Sequence, residues 1–457
     1  MFRANALLAC ALTLAAAPAL ARTNASALQS AIGDPDDFQL SGSVRVRYET
    51  LDGQPRAGFR PNDEQIALRT TLFAEYRPNG FRIGAELFDS RAYLDQPGSA
   101  IGANEVNALE LVQAYVGAEL GPALGEGSSL QLQLGRMTLN LGSRRLVAAD
   151  DYRNTTNGYT GVRADLRTSG GTTATFIYTL PQVRLPDDLP SVKKEKVRWD
   201  RESFDLRLLG GLVAKPKLVA GATAELGYFR LQESDSPGRP TRNRNLHTIG
   251  SRLIREPKPG AWDFEAEGAY QFGHVRASLA ETAPELDVSA WFLHLDAGYS
   301  FPGPLRLRLS LEYDYVSGDG PGGKYGRFDT LFGMRRADLA PAGIYNAIGR
   351  ANISTPGFRA EIAPHKRMDA FLTYRPMWLA ERTDAFSTTG VRDSSGKSGR
   401  FAGHQLEARV RYWAVPGFLR AEINGVWLAK GRFLTTAPNA PPTGDTRYLA
   451  TSLTATF

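Results

Sequence analysis

The sequence predicts an all-β protein, a transmembrane antiparallel β-barrel of about 18 strands with short periplasmic turns and long extracellular loops. Three observations predict it. Segments of about ten residues alternate apolar and polar side chains, short Gly- and Pro-containing turns take turns with long polar connections, and the chain opens on an export signal. A strand points successive side chains to opposite faces, so a period of two describes a sheet with one oily and one wet side.

The signal comes first in the chain. Arg3 supplies a positive charge, residues 6–17 an apolar stretch, and Ala19-Leu20-Ala21 a small-x-small cleavage site. This divides the chain into a signal peptide (1–21), an N-terminal periplasmic segment (22–37) and a barrel (38–457). The single cysteine, Cys10, lies within the signal, which leaves no thiol for a disulfide, a metal site or a nucleophile. Beyond the signal no run reaches the ~20 apolar residues of a membrane helix. A mean hydropathy of −0.29 still suits a membrane barrel, because half of its strand residues face a polar lumen.

The first strand sets the pattern. Phe38, Leu40, Val44, Val46 and Tyr48 share one face, and Ser41, Ser43, Arg45, Arg47 and Glu49 the other. Residues 64–76 repeat the alternation, and Arg77-Pro78-Asn79-Gly80 turns tightly into 81–88. Short turns recur at 168–171, 215–218, 258–261, 302–305, 365–367 and 416–417. Long connections span 181–202, 234–245, 318–346, 382–400 and 432–446. In the final strand Leu449, Thr451, Leu453, Ala455 and Phe457 share a face, and an aromatic at that position resembles the signal by which barrel assembly machinery recognises its substrates. Eighteen strands tilted by ~40° give a diameter of about 36 Å, wide enough for an aqueous channel that inward loops and charged side chains must narrow. Tyr48, Tyr76, Tyr115, Tyr178, Tyr228, Tyr270, Tyr299, Trp378, Trp413 and Trp427 are candidates for the interfacial girdles.

The formal net charge is +6, and roughly 44 of the 54 basic residues are arginine. Arginine's planar fork suits bidentate pairing with carboxylates and keeps its charge when partly desolvated. Arg45, Arg47, Arg69 and Arg82 fall on the wet parity of their strands.

Two segments escape the alternation. One runs Leu134-Gly135-Arg136-Met137, Gly142-Ser143-Arg144-Arg145-Leu146-Val147, Asp150-Asp151-Tyr152-Arg153-Asn154-Thr155 and Gly158-Tyr159-Thr160-Gly161-Val162-Arg163. The other runs Phe328-Asp329-Thr330-Leu331-Phe332-Gly333-Met334-Arg335-Arg336-Ala337-Asp338-Leu339. Both resemble the alginate export family of outer-membrane proteins. The resemblance implies an 18-stranded monomeric barrel in the bacterial outer membrane, with an arginine-lined lumen that in the type member passes the polyuronate alginate. It implies a substrate path lined by Arg136, Arg144, Arg145, Arg153, Arg163, Arg335, Arg336 and Arg350, with Asp151, Asp329 and Asp338 pairing with some of them. Arg153 has Asp150 or Asp151 as its nearest candidate partner, and Arg335 or Arg336 has Asp329 or Asp338.

No Gly-x-Ser-x-Gly elbow and no His-Glu-x-x-His pair occurs, and five histidines are scattered singly, so the sequence gives no reason to expect an enzyme, a cofactor or a metal. The expected partners are outer-membrane lipid and lipopolysaccharide, the assembly machinery, an anionic polysaccharide or small anion, and a periplasmic export scaffold, with no nucleic acid. The loop 181–201, rich in lysine, suits a lid that attracts polyanions or a contact with lipopolysaccharide. Two further functions fit the pattern: an uptake porin for small anionic or aromatic nutrients, and an adhesive or structural barrel.

Overall fold

Alternating β-branched, aromatic and polar residues fold into a closed antiparallel barrel in the computed structural model, which describes residues 27–122, 125–219, 221–334 and 339–457. The signal peptide lies outside the described residues, as do Arg335, Arg336 and Asp338. A single helical turn, α1 (Ala27–Ala31), precedes the barrel, and the Gln29 side chain bonds the backbone of Phe38 and Leu40.

The first half of the wall consists of β1 (Phe38–Asp52), β2 (Asp63–Tyr76), β3 (Phe81–Tyr93), β4 (Asn107–Leu120), β5 (Ser129–Met137), β6 (Tyr159–Arg167), β7 (Thr173–Pro181), β8 (Leu206–Val219) and β9 (Ala222–Glu233). The second half begins with β10 (Asn245–Arg255), β11 (Ala261–Arg276), β12 (Glu285–Ser300) and β13 (Arg308–Val316). It continues through β15 (Ile353–His365), β16 (Met368–Trp378), β17 (Phe401–Val415), β18 (Leu419–Lys430) and β19 (Thr446–Thr456). Every wall strand pairs with its sequence neighbours, and β19 closes on β1, so 18 strands form the ring. The two-residue β14 (Lys324–Tyr325) stands outside it. β13 ends at Val316 and leaves the outer part of β12 without a neighbour on that side, and β14 covers this edge in parallel.

Turns and long loops alternate as the sequence indicates, with one difference. The turn expected at 215–218 is strand: β8 runs on to Val219 through an irregular register around Pro216 and Lys217. Two expected girdle aromatics face inward instead. The Tyr115 ring lies over Gly84 and its hydroxyl donates to Glu75, and Trp413 lies beneath the Arg420 guanidinium. The other face of the wall is apolar and exposed, with Phe81, Leu226, Trp262 and Leu311 among its residues. It carries aromatic clusters at both ends, such as Trp262–Tyr299 and Trp291–Tyr315.

The interior departs from a uniformly wet lumen. In β12 the inward residues change along the strand from Val288, Ala290 and Phe292 to His294 and Asp296. The outer half of the barrel is packed like a soluble core, because the long loops fold into it and bury Leu339, Ile344, Tyr345, Ile348, Phe386 and Phe433 against the wall. The inner half is polar.

The seam between β1 and β19 ends on the contact between Phe457 and Gly42, whose backbones exchange two hydrogen bonds, of 2.6 and 2.9 Å. A Cβ on Gly42 would sit 2.7 Å from the Phe457 ring and 2.9 Å from the Thr71 carbonyl. Gly42→Val is therefore expected to lower the yield of folded barrel and the temperature at which it loses its compact electrophoretic form, with Gly121→Val, in open space and without a positive φ, unaffected. Equal heat-modifiability for the two variants would count against this closure.

Candidate functional site

Loop 138–158 turns inward because its apolar residues Leu139, Leu141 and Val147 pack against Ile177, Leu208 and Phe229 on the wall. Its Asp-Tyr-Arg-Asn turn is then gripped by the wall through backbone groups. Arg45 donates to the carbonyls of Asp151 (3.1 Å) and Arg153 (2.9 Å), Arg47 to that of Tyr152 (2.7 Å), and Arg69 to that of Asp151 (3.1 Å). Asn154 donates to the carbonyls of Leu68, Arg91 and Glu105. A loop inside a barrel must place its carbonyls on donors, and guanidinium groups supply several each.

Loop 317–352 is held from the same strand. Glu49 accepts from the backbone N–H of Ile344 at 2.9 Å and forms an ion pair with Arg47 at 2.8 Å, with both charged side chains buried. Gly343 permits this approach: its φ is +76°, and a Cβ there would lie 2.2 Å from the Glu49 carboxylate. Gln405 accepts from the Tyr345 hydroxyl and donates to the Leu339 carbonyl. The two inward loops also zip together, Phe332 N–H to Leu146 O and Ala148 N–H to Phe332 O.

Against this double plug the inner wall leaves a cavity of about 330 Å³ whose lining includes Arg45, Arg47, Arg144, Arg409, Arg411 and Arg420, with Asp151 and Glu422. Arg144 pairs with Asp151 at 2.6 Å, while Arg409 and Arg411 share Asp369, each at 3.0 Å. A second cavity of about 350 Å³ lies against β10–β15, where basic and acidic residues are balanced. There Arg252 bridges Glu225 and Glu265, and Arg308 bridges Asp263, Asp296 and Glu361.

The remaining sequence-predicted residues are dispersed. Arg145 reaches Glu265 and Glu267 on β11. Arg136 has the outward parity of β5 and clamps Glu110 and Glu202 at the outer rim. Arg82 stands near the periplasmic end of β3, close to Gly117. Arg163 pairs along its own strand with Asp165. Arg153 lies within the loop, bonded to Asn104 and Asn157 and 4.0 Å from Asp150, whereas Asp151 belongs to Arg144. Asp329 pairs with Arg244, and Arg350 is buried and donates to the Met334 carbonyl.

The model of the family described as alginate export matches residues 36–443. The chain belongs to the alginate export family. It is an outer-membrane β-barrel of a transport family and not an enzyme. Among solved structures it is similar to Pseudomonas aeruginosa OccK9 (OpdG), with a TM-score of 0.60 and 12% identity over 92% of this chain and 98% of that one. It is also similar to a BenF-like porin from Pseudomonas fluorescens, with a TM-score of 0.59 and 13% identity over 92% and 99%. Pseudomonas aeruginosa OpdK with vanillate gives a TM-score of 0.57 and 12% identity over 92% and 98%. At such identity these likenesses show the fold. No curated protein matches.

For this alginate export family barrel, Arg409, Arg411 and Arg420 are the residues that sequence reasoning missed. The signal was present: Arg409 and Arg411 alternate with Ala408, Val410 and Tyr412 as Arg45 and Arg47 alternate with Val44, Val46 and Tyr48.

At the outer mouth, burial raises the Glu105 carboxyl to about 7. Burial, and then the neighbouring Glu110, raise that of Asp200 to about 7. Asp200 accepts from Asn107 and from the N–H of Leu185, so it braces its own loop and ties it to the start of β4. Both pKa values lie above the ordinary carboxylate range, so the folded mouth binds more protons than the unfolded chain. Its stability is greatest in acid and falls as pH rises from about 4 through 7. Hydrogen exchange at residues 101–107 and 184–200, corrected for intrinsic rates, should be slower at pH 6 than at pH 8, and equal protection would contradict this. Gly343→Ala is expected to detach loop 317–352 from Glu49, seen in planar bilayers as larger or noisier single-channel conductance than in the parent.

Proposed function

We propose that this barrel is a passive outer-membrane channel for an anionic polysaccharide or oligosaccharide of the alginate type, which travels along the arginine-rich wall of the inner lumen. The observation that carries the reading is the convergence of six arginines and two acids on one cavity beneath the inward loops. A polyuronate presents a carboxylate on every sugar, and a row of guanidinium groups replaces its lost hydration with charge-assisted hydrogen bonds. Asp151, Asp369 and Glu422 compete for the same arginines, which keeps each site weak enough to release its ligand. Arg45 and Arg47 combine lining with tethering, because the groups that face the cavity also hold the loop that narrows it. An export role requires a periplasmic scaffold to deliver the polymer, and the barrel acts as a monomer.

A second reading is uptake of a small aromatic or anionic nutrient. The apolar packing of the outer half favours it, since this leaves less room for a polymer than an open lumen would. The likeness in fold to an OpdK structure that holds vanillate points the same way.

Conductance of the refolded barrel in planar bilayers separates the two. An anion-selective pore blocked by polymannuronate but not by a neutral glucan is the expected result. Arg409→Gln with Arg411→Gln should weaken the block about tenfold or more, by removing two charged hydrogen-bond donors. A pore indifferent to the polymer but blocked by vanillate would overturn the polysaccharide assignment in favour of uptake.

A further inference from the structure

The outward face of the wall holds a cationic patch that the permeation path does not use. On β8 and β9, Arg207 pairs across with Gln232, and Arg230 lies two residues before Gln232 on the same outward face. Diagonal neighbours of this kind lie within reach of one ligand. Arg230 in turn faces His247 of β10. The Arg207 Nε is buried and has no hydrogen-bond partner among the described residues. Arg230 has one contact, to the Asn245 side chain at 3.3 Å, and no acid. The His247 ring stacks on Phe272 at 5.0 Å and holds the Tyr228 hydroxyl through Nδ1 at 2.8 Å, which leaves Nε2 for another partner.

Two other outward arginines at this rim are neutralised: Arg91 by Asp89 and Glu195, and Arg136 by Glu110 and Glu202. The patch sits among exposed Tyr228, Tyr270, Phe272 and Trp291, the aromatic belt at the outer interface, and so at the depth of lipid headgroups. The loop that enters β8 adds exposed Trp199 and Phe204 beside Lys194, Lys196 and Arg198, a combination of apolar and basic residues suited to an anionic membrane surface.

We propose that Arg207, Arg230 and His247 form an outer-leaflet binding site for a phosphate of lipid A, the membrane anchor of lipopolysaccharide. Two guanidinium groups without acidic partners complement a doubly charged phosphate, and the belt beneath them packs the acyl chains. The site is independent of the cargo.

The test uses the full barrel refolded in lipid-free detergent, with native mass spectrometry of added diphosphorylated lipid A, dephosphorylated lipid A and inorganic phosphate. The parent is expected to retain the diphosphorylated lipid in preference to the dephosphorylated one. Arg207→Gln with Arg230→Gln should bind it about tenfold more weakly. Arg447→Gln, an exposed outward arginine on β19, should bind as the parent does. Equal retention of the two lipids overturns the proposal without recourse to any variant. So does displacement of the lipid by low-millimolar inorganic phosphate, which would indicate a free-anion site. Unaltered single-channel conductance in the double variant is required, because altered conductance would place these arginines in the permeation path instead.

Discussion

Strand β1 holds the interior together through the row Arg45, Arg47 and Glu49. Arg45 and Arg47 bind carbonyls of one inward loop, Glu49 binds an N–H of the other, and the ion pair between Arg47 and Glu49 couples the two grips. A buried pair of this kind gains little from mutual attraction alone, since desolvation offsets it. Removal of one partner leaves the other charge uncompensated at a cost of about 3–5 kcal/mol. Here each charge also satisfies a loop backbone group that would otherwise be buried without a partner. The apolar residues of the loops supply the attraction, and the charged row fixes where they settle. Arg47 adds a further contact by lying over the Tyr152 ring at 4.4 Å.

The two sides of the lumen solve the problem of charge differently. Along β10–β15 arginines and carboxylates neutralise one another in chains, and each bridges two or three partners. On the wall from β16 through β19 to β1 the arginines outnumber nearby acids, and Arg420 rests on the Trp413 ring rather than on a carboxylate. The potential inside is therefore lopsided: an anion is drawn to one wall and meets little net attraction at the other.

The ring was legible in the sequence because a period of two and a rhythm of turns are local signals. The inward parity of Arg45, Arg47 and Arg69 follows from their own neighbours. What local signals omit is the partner. Arg145 meets Glu265 and Glu267 at separations of 120 and 122 residues, and nothing in its vicinity names them. Arg136 takes the outward parity of its strand because a rim contact decided its place, against the expectation from resemblance. The apolar filling of the outer half was hidden for another reason. Val288, Ala290 and Phe292 alternate with Ser289 and Trp291, so one strand face is oily on the inside at one end and wet at the other, and a pattern averaged over the strand blurs the change.

The strand that closes the ring on β19 is also the one that holds the interior. The grips of β1 reach across the chain by 105 residues to Tyr152 and by 295 to Ile344, so each must wait for distant segments. Until the ring shuts, β1 is an edge strand and its charged row faces no enclosed space. The pairing that shuts the ring and the contacts that narrow it thus belong to one strand, so the bore of the channel is tied to the integrity of its seam.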